Sequence, residues 1–315
     1  VGSGRGVLIS GVGTSLNVVK GNYIGLDATG MTAVANANSG VLIASGASNN
    51  TIGGPNPADR NVISGNVLAG IAFQSTGTSG NTAQGNWVGL NAAGTAAVAN
   101  QAAGLAFIDN STANSSIANV ISGNLVYGIG ILKYNTAFGS HNNTILGNLI
   151  GTDPTGMNAI PNVGIGISIG DGSSGNIVGG TTPEHRNVIS GNSGSGVVVN
   201  NSTTGNVLSG NFIGVNAAGT AALGNSLNGV TVHGTNNTIG GVVSGAGNVI
   251  SGNQQNGILF GGTGTRIQGN FIGTNASGTT AIPNQGGLLS YGGSGWKIGG
   301  DDDDDGSVDG VVKAR

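Results

Sequence analysis

The chain has 315 residues, of which Gly takes 65, while only 7% are charged and 4% aromatic. Gly without a G-X-Y period, with only six Pro, excludes collagen, and a good supply of Val, Ile and Leu excludes a disordered chain. The lack of Cys excludes disulfides and Cys-based metal sites, a net charge of −3 with no basic patch speaks against nucleic acid, and no apolar run is long enough for a membrane-spanning segment.

The sequence opens at Val1-Gly2-Ser3 without an initiator Met, as expected of a processed chain or a fragment. Its first strand, Gly6-Val7-Leu8-Ile9, already lies inside a repeat. A different short strand follows at Asn22-Tyr23-Ile24, then the loop "GLDATGMTAVAN", a second Gly-led strand at Gly40, and "NTIGG" at Asn50. "RNVISGN" stands at Arg60–Asn66 and again at Arg186–Asn192, and "NVISGN" recurs at Asn119 and Asn248. Interleaved with it, G-N-x-[IV]-G or a close relative falls at Gly21, Gly85, Gly147, Gly210 and Gly269. The super-repeat is about 62 residues and holds two similar halves.

Each half reads as three short strands: N-T-I-x-G first, N-x-[IV] second, G-[VIL]-x-[IFV] third. They alternate with period two, are bounded by Gly, Asn and Ser, and are too short for helices. This predicts an all-β fold, a single-stranded parallel β-helix with three strands per coil and about nine to ten coils. Residues 1–300 form the rod of about five super-repeats, and residues 301–315 an acidic segment of their own.

The second strands place an Asn in each of nine coils, from Asn22 to Asn270, and an Ile or Val two positions later, from Ile24 to Ile272. Stacked about 4.8 Å apart, the aliphatic column makes a core and the Asn column a ladder of amide hydrogen bonds. The third strands open on Gly6, Gly40, Gly70, Gly104, Gly128, Gly164, Gly196, Gly229, Gly257 and Gly287. Between the Asn and the aliphatic residue lies an outward apolar stripe, including Tyr23, Trp87, Phe212 and Phe271, which the Ala-rich loops after each G-N-x-I-G strand are expected to cover. In those loops Asp27, Asn91, Asp153, Asn216 and Asn275 are expected to hydrogen-bond their own turns.

The "GNYIGLDATG…AVAN" and "NVISGN…GI" units resemble the repeats of right-handed parallel β-helix proteins, the pectate-lyase-like superfamily found in large secreted and surface proteins of bacteria and archaea. The resemblance covers almost all of residues 1–300. It implies a fold that carries lyases, epimerases, adhesins and fibres alike. Lyases of this fold use acidic clusters that hold Ca²⁺ beside a Lys or Arg base. The nearest counterpart here is Asp109 and Lys133 in one register of neighbouring coils, with Asp171 two positions further on in the next. An Asp–Lys pair bracing stacked coils accounts for the same residues without catalysis. The loops "PADRN" and "PEHRN" read as turns pinned by internal ion pairs. His141 and His233 read as surface or turn residues.

Asp301, Asp303, Asp305, Gly306 and Asp309 spell D-x-D-x-D-G-x-x-D, which resembles the calcium loops of integrin-like repeats and dockerins. Val312 stands where a bidentate Glu closes the usual loop. The implied cofactor is a structural Ca²⁺ on Asp301, Asp303, Asp305 and Asp309. After Ile298 no further Asn-Val-Ile strand follows. The leading expectation is therefore an extracellular, cell-surface structural or adhesive rod without enzymatic activity, self-associating end to end into filaments. The alternative is a carbohydrate-active enzyme (a polysaccharide lyase or epimerase) or a glycan-binding module with a polysaccharide partner.

Overall fold

In the computed structural model, which describes residues 4–170, 172–299 and 313–314, the chain winds as a three-sided solenoid. Three parallel sheets of ten strands each form its sides. The first sheet runs from Val18–Val19 to Lys297–Ile298, the second from Tyr23–Ile24 to Lys313–Ala314, and the third from Val7–Ser10 to Gly286–Ser290. Every strand but the first and last of each sheet pairs with its counterpart one coil before and one coil after, so like residues stack on like. The core is one continuous cluster running the length of the rod, in which Ile63, Val88, Ile121, Ile150, Ile189, Ile213 and Ile250 are fully buried. Its volume is balanced coil by coil. Phe73 and Phe107, whose rings lie 5.5 Å apart, share their coils with the small inward residues Ala83 and Ser116.

Polar corners hold the sides together. The expected Asn column is present from Asn22 to Asn270, each side-chain amide donating to the next carboxamide oxygen at 2.8–3.1 Å. Two further columns exist that the sequence reading did not extract. One runs from Asn17 to Asn237 ahead of the first-sheet strands, the other from Asn36 to Asn284 ahead of the third. Interior members also donate to a backbone carbonyl of the preceding coil, as Asn119 does to Ala83. A buried amide with its donors and acceptor engaged is rigid as well as stable.

"NVISGN" has a structural task beyond its Asn. The hydroxyl of Ser64 donates to the Leu90 carbonyl at 2.7 Å and accepts the Gly89 N–H at 3.0 Å, clamping the corner of the next coil. Ser122, Ser190 and Ser251 repeat this on Thr152, Val215 and Thr274. The two phrases alternate because one carries the clamp and the other the corner it grips.

Two expectations need correcting. The third-strand Gly of the sixth coil is Gly166, not Gly164, since Tyr127 pairs with Ile165 and Ile129 with Ile167. A spacing of four from the third-column Asn, as in Asn124 to Gly128 and Asn162 to Gly166, identifies it. The strand missing after Ile298 is also present, for Lys313–Ala314 pairs with Phe271–Ile272 in the second sheet.

Candidate functional site

Side chains that face outward from the third sheet follow the same register as the core. Leu42, Ala72, Ala106, Gly130 and Ser168 stack in one outward row. Small residues in the middle of that row lower the floor, and the flanking side chains stand above it. The result is an open groove of about 300 Å³, floored by Leu42, Ala72, Ala106 and Ile108 and walled by Leu68, Val126, Tyr127, Leu132 and Tyr134. It lies over the two longest strands, Ala103–Ile108 and Tyr127–Leu132. Gln74, Asn38 and Ser39 supply its polar groups, and among the described residues no charged side chain lines it.

Asp109 ends the strand beside this groove, in the left-handed backbone region at φ 55°, and is almost wholly buried. Its Oδ1 accepts the backbone N–H groups of Tyr134 at 2.7 Å and Asn135 at 2.9 Å, and its Oδ2 accepts the side-chain amides of Gln74 and Asn135 at 3.3 Å. Burial alone would raise its pKa. The hydrogen bonds, the two backbone amides foremost, outweigh it and hold the carboxyl below the usual carboxylate range. Asp109 thus ties down the turn that carries Tyr134. Lys133 is exposed and forms no ion pair with Asp109, its ammonium lying toward Gly172 of the next coil instead. Asp171 lies outside the described residues, as do Asp301, Asp303, Asp305 and Asp309. Among the described residues no cluster of three or more potential metal ligands occurs.

The charged loops depart from expectation. Neither holds an internal ion pair. Asp59 pairs with Lys20 of the preceding coil at 2.9 Å, while Arg60 lies over the Trp87 ring at 4.2 Å and Arg186 over Phe212 at 4.3 Å. A guanidinium on an aromatic face one coil away gains more than a turn-internal pair in water. His141 joins a hydroxyl ladder through Ser174 at 2.8 Å, and burial lowers its pKa. His233 meets the Tyr291 ring edge-on.

The outward stripe of the second sheet is covered only in part: Phe212 is buried, Trp87, Leu149 and Phe271 are half-buried, and Tyr23 is exposed. Gly219, at φ +66°, sits so close over Phe212 that a Cβ there would fall 2.8 Å from the ring. The loops also stack on one another, Ala92 N–H donating to Gly30 O, Ala217 to Gly156 and Ala276 to Gly219 at 2.8–2.9 Å. Asp27, Asn91, Asp153, Asn216 and Asn275 each accept hydrogen bonds from backbone N–H groups of their own turn. The groove escaped the sequence reading, although the run of small outward residues Ala72, Ala106, Gly130 and Ser168 is its visible sign.

No family model matches the chain, and no curated protein matches it in sequence. Among solved structures it is similar to the A-module of mannuronan C-5 epimerase AlgE4 of Azotobacter vinelandii, at 16% identity and a TM-score of 0.51, covering 92% of this chain and 83% of that one. The AlgE6 A-module of the same organism follows at 17% identity and a TM-score of 0.47, with 93% and 83% covered. The periplasmic alginate epimerase AlgG aligns at 16% identity and a TM-score of 0.43, with 98% and 71% covered. At this identity the likeness concerns the fold, a right-handed parallel β-helix.

Proposed function

We infer that the chain is a glycan-binding β-helix acting outside the cytoplasm, and that it holds a polysaccharide along the outer face of its third sheet. The observation that carries this reading is the open groove with a small-residue floor between Tyr127 and Tyr134. Apolar floors with a few convergent amides suit the C–H faces and hydroxyls of a sugar, and tyrosine offers a flat apolar face with a polar tip. With no charged side chain among the described residues lining the groove, the polymer that fits is neutral. The ladder-bonded rod behind it gives the groove a stiff support. The solved epimerases of this fold act on alginate, an acidic polymer, so the chemistry proposed here differs from theirs in charge.

Binding of neutral polysaccharides, measured by affinity electrophoresis and calorimetry, tests the reading. Tyr134→Ala should weaken it by about tenfold, the worth of one aromatic contact. Absence of saturable binding by the folded chain would sink the proposal. With all four acceptor positions of Asp109 engaged, an enzymatic reading would rest on Lys133 with Tyr134 or Asp171 as acid and base. Product analysis in the same experiments decides that point, for turnover that disappears in Lys133→Ala would replace binding by catalysis. For the acidic segment we propose a structural Ca²⁺ on Asp301, Asp303, Asp305 and Asp309. Terbium luminescence on titration should report it and should vanish in Asp303→Asn.

A further inference from the structure

A second cavity, of about 330 Å³, opens at the corner between the first and second sheets. Its origin lies in the pattern of insertions. The corner ahead of the second-sheet strand carries a long loop before Asn61, Asn187 and Asn248, in alternate coils. At Asn119, where the next such loop is due, the chain passes straight from Ile117 through Ala118. The Pro57–Asp59 turn leans toward the coil before it, with Asp59 O accepting Gly21 N–H, and the Pro183–His185 turn covers Gly147. The missing loop therefore leaves a gap between them, with Val120 and Leu149 as floor and Pro154 as one wall.

Arg60 and Gln84 line this gap, and both have unused donors. The Nε–H of Arg60 is buried with no acceptor, whereas the corresponding Nε–H of Arg186 donates to Gly210 O at 3.3 Å. Asp59, the nearest acid in sequence, is already paired with Lys20. Arg60 is thus a cation without a counter-charge, held in place by its stack on Trp87. Among the described residues the Gln84 side-chain amide has no hydrogen-bond partner. The Nε–H is enclosed, but Arg60 as a whole is only half-buried, and among the described residues its terminal Nη groups make no hydrogen bond. Those Nη donors, beside a free amide and an apolar floor, form a recognition surface for a carboxylate carried on a ring with hydroxyls.

We propose that the Arg60–Gln84 pocket binds a hexuronate unit, with Arg60 taking the carboxylate, Gln84 a ring hydroxyl, and Val120, Leu149 and Pro154 the apolar ring face. The site is separate from the third-sheet groove and differs from it in ligand charge. Calorimetry with a hexuronate trisaccharide, its neutral hexose counterpart and inorganic phosphate tests it. The hexuronate should bind saturably and should weaken by at least about tenfold in Arg60→Gln, the worth of a charge-assisted hydrogen bond. Gln84→Leu, a second variant that leaves the Trp87 stack intact, should also weaken it, while Arg186→Gln should not. Tyr134→Ala should leave hexuronate binding unchanged and Arg60→Gln should leave neutral-polymer binding unchanged, so the two sites fail separately. The proposal is overturned if hexuronate binds equally to Arg60→Gln, if the folded chain does not bind it, or if phosphate binds as tightly and displaces it.

Discussion

Thr265 occupies the position where the first-sheet ladder should have its next Asn, since Thr238 pairs with Arg266. The consequence is two fully buried polar atoms without partners, the amide nitrogen of Asn237 and the hydroxyl of Thr265. Thr265→Asn supplies the missing acceptor and should raise stability by about 1–2 kcal/mol, read from urea denaturation; a lower midpoint would refute this account of the break. Asn119 shows the converse. Its Oδ1 accepts both the backbone N–H and the side-chain amide of Asn86, so Asn119→Ala should cost about 3 kcal/mol or more. Gly70 is required for a different reason from the turn glycines. A Cβ there would lie 2.5 Å from Val88 Cγ1, 2.7 Å from Gly104 O and 2.9 Å from Asn100 Nδ2, so close approach excludes any side chain. The columns of Asn and Ile were legible because each recurs at one spacing. Gly166 was misplaced because an extra Gly at 164 imitates the motif.

At the scale of the strand and turn, neighbouring coils are joined by devices that only stacking reveals. Ser122 is the donor to Thr152 O and the acceptor of Gly151 N–H across one coil. Ser122→Ala leaves the Thr152 carbonyl short of a partner, while Gly151 N–H keeps Ile121 O, and should destabilise by about 1–2 kcal/mol while sparing the strand pattern in far-UV circular dichroism. The turn at Lys133–Asn135 depends on Asp109 in the same way. Its folded pKa is depressed, so its contribution is present above the carboxyl's unfolded pKa and is lost as pH falls through the folded value. Acidification, or Asp109→Asn at neutral pH, should therefore free the turn and speed amide exchange at Tyr134 and Asn135. Unchanged exchange would show that another contact holds it. Sequence spacing brought Asp109 and Lys133 to adjacent coils correctly. It could not show that backbone amides, which carry no sequence signature, would claim the carboxylate first.

For the whole molecule, sparse charge has a measurable consequence. Residues 1–300 hold only seven Lys or Arg and six Asp or Glu. The carboxylates whose pKa departs from the ordinary value are lowered, and the shifted tyrosines, Tyr134 and Tyr291, are raised. Depressed carboxyls are fully ionised, and raised phenols fully protonated, between about pH 7 and 9. Melting temperature should consequently be flat across that range, fall on the acid side, and fall again above about pH 10, where the unfolded phenols ionise first. On the acid side the low pKa of His141 adds to the loss, because the unfolded chain takes up a proton first. A marked slope between pH 7 and 9 would require a titrating group that these contacts do not include.

The sequence by itself determined the coil, its three strands, the aliphatic column and one Asn ladder. In a solenoid each residue stacks on its own counterpart, so structural need is written as periodicity along the chain. Tertiary structure alone decided which outward residues are covered, where small side chains sink a groove between Tyr127 and Tyr134, and how one absent loop opens a gap beside Arg60. Those features arise between coils, from differences among the repeats. A period records what the repeats share, and a site is made where they depart from one another.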